Sequence, residues 1–465
     1  MNQDAYKHTI YACMIIISSI IFHLHAITQD PLAEDIPEIV STINKSMPDV
    51  MPYAHTLFCV YMAADNDLRS FAIRNLKQML TAGSNENLHI VVHLDIRDSN
   101  GDKVTKRYYI GKNTYTILNE HDPDAQAMDS GDPETLISFC KMAIKKFPAK
   151  DVVLVLWDHG TGYLEPIRRG HVNPSTLFTF NPTTCKLELN RSLSYLTFLA
   201  EYIENNRGVC WDQTTQNFLS ALKLDYALNT ICRDCLGGKR FSIIAFDACL
   251  MAMTEIAELL SPYTDIMVAS EETILGTGYD YENVLSIFHT KRPTPREFAT
   301  HLVTSFFNTY QRVTQDFTLS ALDLSLTPFI MENLNNVAES LIICLKNQKN
   351  NSVKQALKTS RMLCTHFNET SYLDIFDLFS IIQTSIKKFI VSSNAIEAKQ
   401  KLEQALQEGK SLIQRYVFAH TEGKKLSNAH GISIYFPERM HSSYPPSSFA
   451  RSNKWFNFIS TYLTT

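Results

Sequence analysis

The sequence predicts an α/β fold, a mostly parallel sheet covered by helices on both faces, and three observations carry that expectation. From Leu57 to about Ser270, short apolar or β-branched runs alternate with longer amphipathic ones, the pattern of strands joined by crossover helices. Two of the runs, Val152 to Leu156 and Ile243 to Phe246, are almost wholly apolar, as central strands buried on both faces must be. Helix starts fall between the runs. Asp132-Pro133-Glu134 offers an N-cap followed by proline in the first turn, and Leu136, Phe139, Cys140 and Ala143 follow at helical spacing.

Taken from the amino terminus, Lys7 precedes an apolar run from Ile10 to Phe22 that ends at His23-Leu24-His25-Ala26. Residues 1–27 therefore read as a cleavable signal peptide or, if uncleaved, as a membrane anchor; the run is short for a comfortable span. The expected strands are Leu57 to Met62, Leu88 to Leu94, Val152 to Leu156, Phe241 to Phe246 and Ile266 to Ala269, within a first unit at 52–290. A long insertion at about 164–215 reads as irregular, with Pro166, Arg168-Arg169-Gly170, Pro174 and Pro182, and a helix is expected from Leu219 to Ile231. Beyond Pro293 the periodicity turns helical at Phe298 to Tyr310, Ile330 to Leu345 and Ile396 to Tyr416. With a late strand at Gly431 to Phe436, residues 291–465 are expected to form a second, mainly helical unit packed on the first.

The bulk numbers bound the function. A chain of 465 residues that is 45% hydrophobic and 20% charged buries a core, and its net charge of −5 supplies no basic field for nucleic acid. Of the ten cysteines, Cys13 leaves with a cleaved leader, and Cys59 and Cys140 sit in apolar runs as small buried hydrophobes. Cys185, Cys210, Cys232 and Cys235 leave three readings open: two disulfides suited to an exported protein, unpaired thiols, or a four-cysteine zinc site suggested by Cys232-Arg233-Asp234-Cys235. A thiol oxidoreductase is disfavoured, because that pair follows a helix instead of opening one after a strand.

Chemistry concentrates where the two most apolar strands end. The first runs into Asp158-His159-Gly160-Thr161-Gly162 and the second into Asp247-Ala248-Cys249, and open α/β sheets bind ligands just outside the carboxyl ends of their strands. A thiol needs a base or a positive field to become a nucleophile, and histidine is the natural supplier. Cys249 opens a helix-like stretch, Leu250 to Ala257, whose dipole would favour the thiolate. Gly160 beside His159 lets a carbonyl approach the backbone and frees an amide for an oxyanion. Asp158 reads as a loop or cap residue, with no role in orienting the base.

The words around these residues resemble the clostripain family of cysteine peptidases. They are Leu156-Trp157-Asp158-His159-Gly160-Thr161-Gly162 and Phe246-Asp247-Ala248-Cys249-Leu250-Met251-Ala252, followed by Glu255-Ile256-Ala257 and Ala269-Ser270-Glu271-Glu272. Tyr61 to Leu68, Gly131 to Leu136, Ser320 to Asp323, Gly431 to Pro437 and Trp455 extend the resemblance over nearly the whole chain after the leader. It implies a caspase-like fold shared with caspases, legumains and gingipains, with a dyad of nucleophile Cys249 and general base His159. It also implies an oxyanion hole from the Gly160 and Cys249 amides, and Asp247 at the base of the pocket for the residue before the scissile bond. Asp247 and Cys249 project to the same side of an extended chain, and a buried carboxylate calls for Arg or Lys in the substrate; a helix cap is the plainer alternative for Asp247.

The expected partners are thus protein or peptide substrates carrying basic residues, met outside the cell or in the periplasm or envelope, with a membrane involved only if the leader stays uncleaved. Self-cleavage after Arg168, Arg169, Lys186 or Arg191 fits the resemblance. So does calcium, for which Asp122, Asp124, Asp129 and Asp132 are the available oxygens, although none forms a dedicated calcium loop and no cofactor is otherwise indicated. The rival from another class is a non-catalytic binding or adhesion protein that keeps the fold.

Overall fold

The computed structural model describes residues 40–41, 47–119, 127–164, 177–193 and 208–465. The predicted leader, Asp122, Asp124, Arg168 and Arg169 lie outside the described residues. In chain order the first elements are β1 (Val40–Ser41), β2 (Ala54–Ala64), α1 (Arg69–Ala82), β3 (Leu88–Arg97), β4 (Lys103–Gly111) and β5 (Thr114–Ile117). Then come α2 (Pro133–Lys146), β6 (Ala149–Trp157), β7 (Phe178–Asn181), β8 (Lys186–Leu189), β9 (Val209–Asp212), β10 (Asn217–Leu219), α3 (Ala221–Asp234) and β11 (Phe241–Asp247). The chain continues through α4 (Thr254–Leu260), β12 (Thr264–Ala269), α5 (Tyr281–Ser286), α6 (Pro295–Tyr310), β13 (Thr318–Asp323), α7 (Thr327–Lys346) and α8 (Ser352–Leu363). It closes with β14 (Tyr372–Asp374), α9 (Ile375–Ser385), α10 (Ile396–Tyr416), β15 (Val417–Glu422), β16 (Ser433–Tyr435), α11 (Ser448–Ser452) and α12 (Trp455–Thr464).

Ten strands form one sheet in the order β1-β5-β4-β3-β2-β6-β11-β12-β13-β15. Its middle, β3-β2-β6-β11-β12, is parallel, and antiparallel strands extend both edges. Helices cover both faces. In β2, Phe58 meets Tyr281 of α5 and Phe298 of α6, whereas Tyr61, three residues on and therefore facing the other way, meets Phe139 of α2. The cap of α2 is as expected, with the Asp132 side chain accepting from the Glu134 amide at 3.0 Å.

Three departures from expectation matter for the site. The insertion is not irregular throughout, since it holds the antiparallel hairpins β7–β8 and β9–β10. Residues 291–465 do more than pack on the first unit, because β13 and β15 continue the sheet past β12 and Tyr372 and Ser433 reach the loops that follow β6 and β11. And β4, which carries Lys103, Lys106 and Arg107, hides its strand character behind charged side chains that the structure buries with partners.

The largest of these buried polar groups ties β9–β10 to the sheet. Asp65, Asp95 and Asp212 surround the Lys103 ammonium, which lies 3.0 Å from Asp95 and in direct contact with Asp212, while Arg97 pairs with Asp65 at 2.6 Å. Burial, and with it the like charge of Asp212, pushes the Asp95 carboxyl well above the usual carboxylate range against the pull of Lys103.

Candidate active site

The strand order decides which loops meet. The chain passes from β2 to β3 on one side and returns to β6 on the other, so a crevice opens at the carboxyl ends of β2, β6, β11 and β12. A cavity of about 180 Å³ lies there, lined among others by Asp67, His159, Leu177, Asp247, Cys249 and Gly278. The residues that the sequence singled out at two strand ends, and the aspartate between them, thus share one cavity.

The two loops touch through a glycine. A side-chain carbon on Gly160 would lie 2.5 Å from the Cys249 carbonyl oxygen and 3.0 Å from the Ala248 and Met251 side chains, so only glycine admits this approach. The approach carries His159 and the Gly160 amide up to the cysteine loop. The C-terminal half holds both loops from behind. Tyr372 donates its hydroxyl to the Thr161 carbonyl at 2.7 Å and accepts from the Leu164 amide, and Ser433 donates its amide to the Ala252 carbonyl at 2.9 Å.

Cys249 is buried, and its sulfur accepts from the Ile274 amide at 3.2 Å. The thiol in turn donates to the Ile274 carbonyl at 3.6 Å. The expected helix-dipole assistance is absent, however: Leu250 is left-handed at φ 62° and Met253 is extended, so α4 starts only at Thr254. A leucine in that region costs roughly 1–2 kcal/mol, strain held by the Leu250 and Ala252 amides bonding to the carbonyls of Glu272 and Ser270.

His159 brings a partner that the sequence reading missed. Its Nε2 lies 2.7 Å from the Asp67 carboxylate, which stands three residues beyond β2. With that proton donated to Asp67, Nδ1 carries the lone pair. Burial pulls the imidazole pKa down, but Asp67, and Asp158 behind it, outweigh burial and hold it above the ordinary value. The same pairing draws Asp67 below the usual carboxylate range against the effect of its own burial. Asp158 does not orient the base. It accepts from the Asn66 side chain at 2.7 Å and from the Trp211 amide, fastening the β6 turn to the loop after β2 and to β9 itself, and burial lifts its pKa to about 7.

Asp247 ends β11 and is buried. One oxygen, Oδ2, accepts from the Tyr279 amide at 3.0 Å and from the Tyr281 hydroxyl at 2.9 Å, while Oδ1 has no hydrogen-bond partner. Burial raises its pKa to about 7 against those two bonds. It is not the cap of a helix, since α4 begins beyond Met253 and Asp247 bonds to the segment after β12. Gly278 backs it at φ 57°, where a side-chain carbon would fall 2.5 Å from Oδ2.

The remaining expectations scatter. All nine described cysteines are free, with Cys185 exposed and Cys210 and Cys232 buried, so of the three readings the structure has the unpaired thiols and not the two disulfides. Among the described residues no group of three or more His, Cys, Asp or Glu is disposed to hold a metal ion, so the four cysteines build no zinc site. Asp129 spends its oxygens on the Gly131 amide and on the side chains of Thr215 and Asn217, and Asp132 caps α2. Lys186 donates to the Gln311 carbonyl at 2.7 Å, and Arg191 pairs with Glu272 and Asp316 at 3.1 and 2.9 Å.

The family model described as the clostripain family matches residues 60–173 and 197–461. Clostripain of Hathewaya histolytica is 22% identical over 496 residues, covering 93% of this chain and 84% of that protein. An inactive zymogen C11 protease from Parabacteroides distasonis shares the fold at a TM-score of 0.54 and 18% identity, over 88% of this chain and 99% of that one. A secreted C11 cysteine protease from Bacteroides thetaiotaomicron, solved with an irreversible peptide inhibitor, does so at 0.53 and 18%, over 87% and 99%.

Proposed function

Since the chain belongs to the clostripain family and is a cysteine peptidase, we propose that Cys249 and His159 are its catalytic dyad and that it cuts peptide bonds after Arg or Lys. The observation that carries this reading is the single cavity lined by Cys249, His159 and Asp247, the last with a buried, unpartnered oxygen. A carboxylate so placed is costly until a cation reaches it, and a substrate ammonium or guanidinium is such a cation.

In the proposed reaction, Nδ1 of His159 takes the Cys249 proton and the sulfur adds to the scissile carbonyl carbon. The oxyanion so formed is stabilised by the amides of Gly160 and Cys249, each such donor being worth about 2.7–4 kcal/mol. Collapse breaks the C–N bond, and the imidazolium gives its proton to the departing amine. Water, deprotonated by the same imidazole, then hydrolyses the thioester and regenerates the thiol. Asp67 keeps Nε2 protonated throughout, so that Nδ1 remains the working nitrogen.

We also propose that the enzyme acts after export, on the apolar leader read in the sequence and the secreted relative of the same fold. No helix among the described residues is long and apolar enough to cross a membrane. The non-catalytic binding reading is not favoured either.

Fluorogenic peptides that differ only before the scissile bond test the function. Hydrolysis after Arg or Lys, together with alkylation of Cys249 that is lost in His159→Ala, is the expected result. Equal cleavage after alanine, or labelling indifferent to His159, would overturn it.

A further inference from the structure

The pocket proposed for basic side chains has an asymmetry that bears on which base it takes. Asp247 presents two oxygens, but the protein has already used one. Oδ2 receives the Tyr279 amide and the Tyr281 hydroxyl, and only Oδ1 is without a partner. The Tyr281 ring cannot swing its hydroxyl aside, because it is fully buried against Phe58 and Tyr279, with ring centroids 6.3 and 6.0 Å away. Nor does it lose its proton at working pH, since burial and the adjacent carboxylate both raise its pKa. Tyr279 offers no further group, as its hydroxyl donates to the Phe246 carbonyl at 2.7 Å.

Resting on the proposed cleavage after basic residues, we propose that this pocket selects lysine over arginine and that Tyr281 sets the choice by occupying one oxygen of Asp247. A guanidinium is a rigid fork whose strength lies in two parallel N–H bonds to both oxygens of a carboxylate. Against Asp247 it finds one oxygen open, and its second arm goes unmatched. An ammonium is a point charge that needs no second oxygen, so it pairs with Oδ1 without that loss. The segment Gly276-Thr277-Gly278-Tyr279-Asp280-Tyr281 therefore does two jobs. Gly278 keeps the floor open, and Tyr281 narrows the floor chemically to a single acceptor.

The test measures kcat/KM on paired peptides identical except for Lys or Arg before the scissile bond, in the wild type and in Tyr281→Phe. Wild type is expected to favour lysine by roughly tenfold, the size of one hydrogen bond to a charged group. Tyr281→Phe frees Oδ2 for the second arm of the guanidinium and is expected to erase most of that preference. A wild type that cuts after arginine as well as after lysine, or a ratio unmoved in Tyr281→Phe, overturns the proposal. Cleavage after alanine or aspartate but after neither base would instead overturn the basic pocket itself, and the selectivity with it. Should the variant fold poorly, protection of Cys249 from alkylation in the wild type by acetyl-lysine amide and acetyl-arginine amide reads the same preference. Protection at lower concentrations by the lysine compound supports it, and equal protection overturns it.

Discussion

Two sets of aspartates are buried at the carboxyl end of the sheet, and the chain treats them differently. Asp65, Asp95 and Asp212 are supplied with Lys103 and Arg97, which settle their charge within the protein. Asp247 is supplied with an amide and a hydroxyl but with no described cation, and it responds by holding a proton up to about pH 7. One residue type at one level of one sheet is therefore structural where the chain provides the counter-ion and receptive where it does not. Burial alone does not distinguish the two, but the bookkeeping of charge does.

Asp247→Asn probes the receptive side and should have the largest effect. Removing one partner of a buried pair costs about 3–5 kcal/mol, so kcat/KM on basic peptides should fall by roughly a thousandfold. The fold should not suffer. Between the unfolded pKa of 3.8 and the native value of about 7, native Asp247 binds a proton that the unfolded chain lacks. Its contribution therefore makes stability rise as pH falls through that window, by up to a few kcal/mol, and Asn should flatten this dependence in thermal melts at pH 5 and pH 8. A variant destabilised at pH 8 would break the contrast.

Lys103→Met probes the structural side. It strands buried carboxylates with too little positive charge and should lower stability by about 3–5 kcal/mol in a denaturant titration, with the remaining folded enzyme keeping its preference for basic peptides. Loss of that preference without loss of stability would erase the distinction.

Asp67→Asn should have the smallest effect, about a tenfold loss in kcat with KM little changed, since it orients a base without touching substrate. The acidic limb of the pH profile should move to lower pH, because Asp67 is what raises the His159 pKa. A limb that moves upward would mean that sulfur and imidazole rest as an ion pair.

How much of this was legible in the sequence depended on whether the signal was local. The central strands β2, β3, β6, β11 and β12 declared themselves by apolarity, and His159 and Cys249 by standing where β6 and β11 end. Asp67 did not, because its bond to His159 spans 92 positions and exists only through the pairing of β2 with β6. Nothing within Tyr61 to Leu68 itself says which strand lies beside it. The edge strand β15 escaped notice for a related reason: half of Val417–Glu422 is polar, and its pairing with β13 is what makes it a strand. The helix expected at Leu250 starts only at Thr254, because Leu250 is left-handed and Met253 extended, conformations that propensity does not foretell.

The pairing of β6 with β11, from Val153 with Ile243 to Trp157 with Asp247, has a consequence for any chain cut between residues 165 and 207. The two pieces would each contribute strands to the middle of one sheet and one loop to one cavity. Such a protein would be an obligate heterodimer made from a single gene product, in which dissociation and unfolding are the same event. Its stability would then depend on the concentration of the two pieces.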